Sequence, residues 1–104
     1  MSELRCEDRD DGRWIHLEGE MDYEGCAKLA ESFMTAATEA KTGDVIVAMH
    51  GVNFVGSQCL RLLLEANQVL RDQGVRLHIA GLQTHIRKVF ETTGLFATIA
   101  DWDA

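Results

Sequence analysis

The position best suited to chemistry in this sequence is Ser57. It follows the apolar run Val45-Ile46-Val47-Ala48-Met49 and the short segment His50 to Gly56, and it opens an amphipathic stretch. With the run as a strand and the stretch as a helix, its hydroxyl stands at the carboxyl edge of a sheet, where functional groups gather. The unpaired N–H groups and dipole of the helix start favour negative charge there. A phosphate on that hydroxyl adds about −1.5 to −2 charges and meets donors already in place. A serine that merely caps the helix, worth about 1 kcal/mol, occupies the same position, so both readings stand on sequence alone.

The remaining reactive residues form no comparable constellation. Cys59 lies just inside the same helix start, where a depressed pKa would make it a nucleophile or a redox sensor, but no partner base is identifiable and a packed thiol is the simpler reading. His16, His50, His78 and His85 are dispersed and lack metal-ligand spacing, so no metal is expected. Neither Gly-x-Gly-x-x-Gly nor a P-loop occurs, and no cofactor is expected. Lys28, Lys41, Arg61, Arg71 and the Arg87-Lys88 pair read as solvated charges.

The elements that must hold Ser57 in place follow from periodicity. Segments around Leu4–Asp8 and Arg13–Glu18 flank Asp10-Asp11-Gly12, an Asp-Gly hairpin signal, with Ile15 and Leu17 facing a core. From Asp22, a good N-cap, the residues Cys26, Leu29, Ala30, Phe33, Ala37 and Ala40 draw one apolar stripe, which predicts a helix from Tyr23 to about Lys41 with Gly43 as its stop. The run Val45–Met49 predicts a strand covered on both faces, followed by a loop from His50 to Gly56. A second helix extends from Ser57 to about Gln73, with Leu60, Leu63, Leu64 and Leu70 on one side and Asn67 the exception, and Gly74 stops it. Val75–Ala80 alternates like a strand. Thr84 can cap a short helix ended by Gly94, with Ile86, Val89 and Phe90 inward, and Leu95–Trp102 supplies a last extended segment at a sheet edge. The expectation is an α/β fold: a mixed β-sheet with an N-terminal hairpin and helices, in the order β-β-α-β-α-β-α-β, whose terminal βαβαβ stretch has right-handed crossovers.

Composition narrows the setting. The 104 residues suit one domain spanning 1–104 and one core. Seventeen acids against ten bases give a net charge of −7, and nine of the acids against three arginines fall in residues 1–24, which reads as a solvated face. Nucleic acid, which demands a basic surface, is therefore not expected as a partner. No stretch reaches the roughly 18–20 apolar residues needed to span a bilayer, and the first residues lack the apolar segment of a signal peptide, so a cytoplasmic, not membrane-spanning protein is expected. Three separated cysteines, Cys6, Cys26 and Cys59, fit free thiols in a reducing compartment.

The succession Ile15-His16-Leu17-Glu18-Gly19-Glu20-Met21-Asp22, then Val45–Met49, then Gly51-Val52-Asn53-Phe54-Val55-Gly56-Ser57-Gln58-Cys59-Leu60, then Gly74-Val75-Arg76-Leu77-His78-Ile79-Ala80-Gly81, resembles the STAS domain, the family of anti-sigma factor antagonists. The likeness spans about Leu4 to Ile99. It implies a small STAS-like fold without enzymatic activity. Its implied partners are a serine kinase that is also an anti-sigma factor, which phosphorylates a serine at the start of the second helix, and a phosphatase that reverses this. By position the phosphorylated serine is Ser57 and the family's acidic residue is Asp22. The implied docking surface is the second helix and the adjoining loop, with Asp22, Asn53, Gly56, Ser57, Gln58 and Arg61. Two departures stand out: Gly56-Ser57-Gln58-Cys59 replaces the family's usual Asp-Ser-Ser-Gly, and Ala48 stands where an Asp is usual near the end of the central strand. The alternatives are a constitutive STAS scaffold or regulatory subunit of a transporter or signalling assembly, and a thiol redox sensor using Cys59.

Overall fold

The computed structural model describes residues 2–40 and 43–104. Its elements are β1 (Ser2–Arg9), β2 (Gly12–Met21), α1 (Tyr23–Thr38), β3 (Asp44–Val55), α2 (Ser57–Asp72), β4 (Leu77–Ala80), α3 (Thr84–Thr93), a single 3-10 turn (Leu95–Ala97) and β5 (Ala100–Asp101). The five strands form one sheet in sequence order: β1 runs antiparallel to β2, and β2 to β5 run parallel. This is the α/β arrangement expected from the sequence.

Alternation along the strands sorts the side chains into two unlike faces. Ile15 and Leu17 of β2, Val45, Val47 and Met49 of β3, and Leu77 and Ile79 of β4 share one cluster with Leu29 and Phe33 of α1, Leu63 and Leu70 of α2, and Ile86 and Phe90 of α3. All three helices thus pack on one face. The opposite face carries Trp14, Ile46, Ala48 and Ala80, with Trp102 packed against them and no helical residue among those described. Val45–Met49 is covered on both faces, as its composition predicts, but indole rings replace helices on the second. Trp14 and Trp102 meet edge to face with centroids 5.5 Å apart, an arrangement worth about 0.5–1.5 kcal/mol beyond area burial. The Arg9 guanidinium lies 4.3 Å from the Trp14 ring, and Trp14 Nε1 donates to Asp11 Oδ1 at 2.9 Å.

Several boundaries differ from the sequence expectations for identifiable reasons. Arg9 pairs with Gly12, so Asp10 and Asp11 make the hairpin turn and Gly12 opens β2 with φ +142°. A Cβ on Gly12 would overlap the Asp44 carbonyl oxygen of β3, which is why glycine sits there. Helix α1 ends at Thr38, with Glu39 as its C-cap; Lys41 lies outside the described residues. The segment 50–55 is not a loop. Strand β3 continues to Val55 because β2 keeps pairing with it, through register shifts between His16 and Glu18 and between Gly19 and Glu20. On α2, Asn67 is buried and Leu64 is 38% exposed, the reverse of the predicted stripe. Thr84 is the first residue of α3, whose N-cap is Gln83, and the last segment folds into the 3-10 turn before only two residues of strand. Arg87 is not a merely solvated charge: it forms a two-toothed ion pair with Asp101 at 2.8 and 3.2 Å, fastening α3 to β5.

Candidate functional site

Strand β3 delivers the chain to Gly56, the N-cap of α2, and Ser57 becomes the first helical residue. The capping reading of Ser57 therefore does not apply. Gly56 has no side chain to cap with, and its N–H donates to the Met21 carbonyl at 2.9 Å, tying the start of α2 to the end of β2. The Gly56 carbonyl accepts from Cys59 and Leu60 N–H at 3.1 and 3.3 Å. The first turn of α2 holds no acidic residue and no side-chain cap, so its leading N–H groups point outward with the positive end of the helix dipole uncompensated.

Helix α1 begins beside it under the opposite regime. Asp22 Oδ1 accepts from Gly25 N–H at 2.8 Å, and Glu24 adds a second acid to the first turn. Asp22, the residue aligned with the family's acid, thus closes α1, while its backbone lies next to Gly56. Negative charge is already supplied at the first helix and absent at the second.

The remaining predicted residues are brought together around this junction, with unequal roles. Ser57, Arg61, Leu64 and Gln68 recur at steps of four and three and form an exposed stripe on α2. Gln58 and Arg61 line a depression of about 200 Å³ between α1 and α2, together with Tyr23, Cys26 and Glu65. Among the described residues Arg61 makes no ion pair. Asn53 is exposed at the end of β3, and its carbonyl accepts from His85 Nε2 at 2.9 Å. Two exposed aromatics that sequence periodicity did not single out flank the stripe: Tyr23 is 70% and Phe54 49% exposed. Each has apolar neighbours at regular spacing, Cys26 and Ala27 after Tyr23 and Val52 before Phe54, so the sequence marks neither as exposed.

Ala48 is not part of this junction. It lies in mid-strand, paired with His16 and Ala80 and buried in the cluster with Trp14 on the helix-free face. Gly56 has φ −101°, and a Cβ there would meet only ordinary contacts at 3.6 Å, so neither strain nor crowding requires glycine in place of the family's acid.

Cys59 is 1% exposed, and the neighbouring Cys26 thiol and burial push its own thiol well up, away from the thiolate a nucleophile needs. The histidines serve packing and pairing: His16 meets Glu7 at 3.2 Å and His78 meets Asp44 at 3.0 Å. Among the described residues no helix is long and apolar enough to cross a membrane.

Comparison with solved structures places this architecture. The chain is similar to an anti-sigma factor antagonist from Mycobacterium paratuberculosis, with 18% identity and a TM-score of 0.87 over 100% of this chain and 87% of that one. It is similar to a STAS domain protein from Planctomyces limnophilus, with 18% identity and a TM-score of 0.84 over 98% and 90%. It is also similar to the phosphorylated form of SpoIIAA, a Bacillus cell fate determinant, with 22% identity and a TM-score of 0.69 over 95% and 90%. At these identities the likeness is one of fold. No curated protein matches the sequence. The family itself is identified by sequence, since the model described as "Mlab, STAS domain" matches residues 6–99, and the chain therefore belongs to the STAS family.

Proposed function

We propose that this chain is a non-enzymatic, cytoplasmic docking module of the anti-sigma factor antagonist kind, acting as a single unit. Unphosphorylated, it binds an anti-sigma factor that is also a serine kinase, through Ser57, Gln58 and Arg61 of α2 with Asp22, Asn53 and Gly56 beside them. Phosphate on Ser57 ends the association, and a phosphatase restores it. The observation that carries this reading is the exposed Ser57 at the head of an uncapped, acid-free helix, with the exposed Phe54 ring beside Gly56 and the exposed Tyr23 ring lining one depression with Gln58 and Arg61. The phosphate is held where it forms, because the free N–H groups receive it. It ejects the partner because a dianion in a drying interface costs desolvation and repels the partner's acids.

The test is affinity for such a kinase, purified and measured by calorimetry. Ser57→Asp is expected to weaken binding at least tenfold, about 1.4 kcal/mol, with the fold intact, whereas Ser57→Ala binds as the parent does. Parent-like binding by Ser57→Asp, with no phosphate on Ser57 in the intact mass of protein from its own cells, overturns the switch. A specific observation favours one other reading, a constitutive scaffold or regulatory subunit of a transporter or signalling assembly. Gly56 replaces an acid that the site has room for, which leaves no carboxylate on the residue preceding the serine. If Gly56→Asp converts an unphosphorylated protein into a kinase substrate, the constitutive reading is the better one for the natural sequence.

A further inference from the structure

The end of α2 remote from Ser57 carries a second, unlike feature. The last turns of α2, the start of β4, the 3-10 turn and the start of β5 enclose a cleft of about 500 Å³, within the range of small-molecule sites. Its walls are fixed by the backbone. On one side Val75 N–H donates to the Leu70 carbonyl at 2.8 Å, and Gly74 turns the chain with φ +77°. On the other, Thr98 and Ile99 N–H donate to the Leu95 carbonyl at 3.0 and 2.8 Å.

Asn67 opens into it. This residue is 3% exposed among Leu63, Ala66 and Leu70, yet its side chain has no hydrogen-bond partner among the described residues. Among the described residues no fully buried side-chain nitrogen or oxygen lacks a partner, so the Asn67 amide reaches the cleft itself, where it is open to water or to a ligand. The charges on the rim say what ligand that is. Arg71 and Arg76 both line the cleft, and neither guanidinium has an ion-pair partner among the described residues. The Asp44 carboxylate accepts from His78 Nε2 at 3.0 Å and from the Arg76 backbone N–H at 3.3 Å, and the Arg76 charge acts on it without forming an ion pair. Phe96 and Val75 supply apolar wall, and Thr98 a hydroxyl. Two exposed guanidinium groups without an ion-pair partner among the described residues, an amide facing the cleft and an aromatic side suit a small anion with an apolar body.

We propose that the cleft between the C-terminal end of α2 and the 3-10 turn binds a small organic anion, a phosphate monoester or a carboxylate, with its head on Arg71 and Arg76 and its apolar body against Phe96 beside the Asn67 amide. The test uses phenyl phosphate and benzoate, titrated separately into the 15N-labelled full chain. Saturable shifts are expected at the Asn67 side-chain amide and at the backbone amides of Val75 and Thr98, and not at Ser57 or Gln58, with a Kd of about 1 mM or tighter for at least one of the two probes. The tighter probe identifies the head group. Arg71→Gln and, separately, Asn67→Leu are each expected to weaken that probe at least fivefold while leaving the rest of the spectrum in place. Three results overturn the proposal: no saturable shift with either anion up to about 10 mM, equal binding by Arg71→Gln and parent, or binding of uncharged benzyl alcohol as tight as that of the anions.

Discussion

The two faces of the sheet are cores of different construction. The helix-covered face is aliphatic, with Ile15, Val45, Val47, Leu77 and Ile79 sealed by side chains from three helices. Among the described residues the other has no second layer of secondary structure. Trp14 and Trp102 lie over Ile46, Ala48 and Ala80, and the His16–Glu7 and His78–Asp44 pairs frame them. The first core depends on whole elements docking, and the second on two side chains. A small domain can therefore bury both sides of a parallel sheet with helices on only one, at the cost of concentrating the burial of the other side in a few residues.

The comparison can be broken by substitution, and the largest effect is expected on the helix side. Leu63→Asp places a charge at a fully buried position among the helix-packed side chains and is expected to cost several kcal/mol, enough to leave the chain unfolded at 25 °C. Arg71→Asp on the exposed side of the same helix is expected to change stability by about 0.5 kcal/mol or less. Equal melting temperatures by circular dichroism for these two variants would mean that α2 does not pack as described. Next comes the other face. Trp14→Ala is expected to cost about 3 kcal/mol, because it removes the larger part of the cover over Ile46 and Ala48 and leaves Trp102 without its ring partner. A loss under about 1 kcal/mol in urea unfolding would show that the indoles are covering and not core.

A smaller, pH-dependent effect is expected at the edge of the sheet. Arg87 beside Asp101 holds its carboxyl below the usual carboxylate range. The folded-state pKa is lowered, so the stabilisation is present above the ordinary carboxylate pKa and disappears as the pH falls through the folded value. Asp101→Asn is expected to destabilise by about 1–2 kcal/mol at pH 7, and the gap from the parent is expected to close towards pH 3. A gap that persists unchanged in acid assigns the loss to packing of β5. The smallest change expected is in thiol chemistry: with Cys6 exposed and Cys26 and Cys59 buried, one thiol per chain reacts promptly with a disulfide reagent in the native protein and three after unfolding. Prompt reaction at Cys59 would revive a redox role.

The elements legible in the sequence were those with local signals. Gly74 and Gly94 follow their helices with positive φ, Asp22 caps α1, and the apolar stripe of α1 lies where its periodicity put it. What escaped depends on contacts distant along the chain. Trp14 and Trp102 are 88 positions apart, so no window of periodicity could show that they roof the same strand. Segment 50–55 reads as a loop because it mixes glycine and polar residues. It is strand because β2, an element formed much earlier in the chain, pairs with it. Ser57 was found from position alone, whereas the exposed Tyr23 and Phe54 beside it were not, since an aromatic with apolar neighbours at regular spacing carries no local mark of being uncovered. Asn67 was visible only as an interruption of an apolar stripe, and its meaning rests on Arg76 and Phe96, which belong to other elements.

The roofing of the helix-free face by both tryptophans also gives the molecule an optical partition. The chain has two tryptophans and a single tyrosine, Tyr23, which stands at the head of α1 on the other side of the sheet. Indole emission therefore comes wholly from the helix-free side. A partner settling over α2 leaves that emission nearly unchanged, while any event that loosens the Trp14–Trp102 contact shifts it to the red. Quenching of the tyrosine band with steady indole emission would mark docking, and the reverse pattern would mark unfolding, without any label attached.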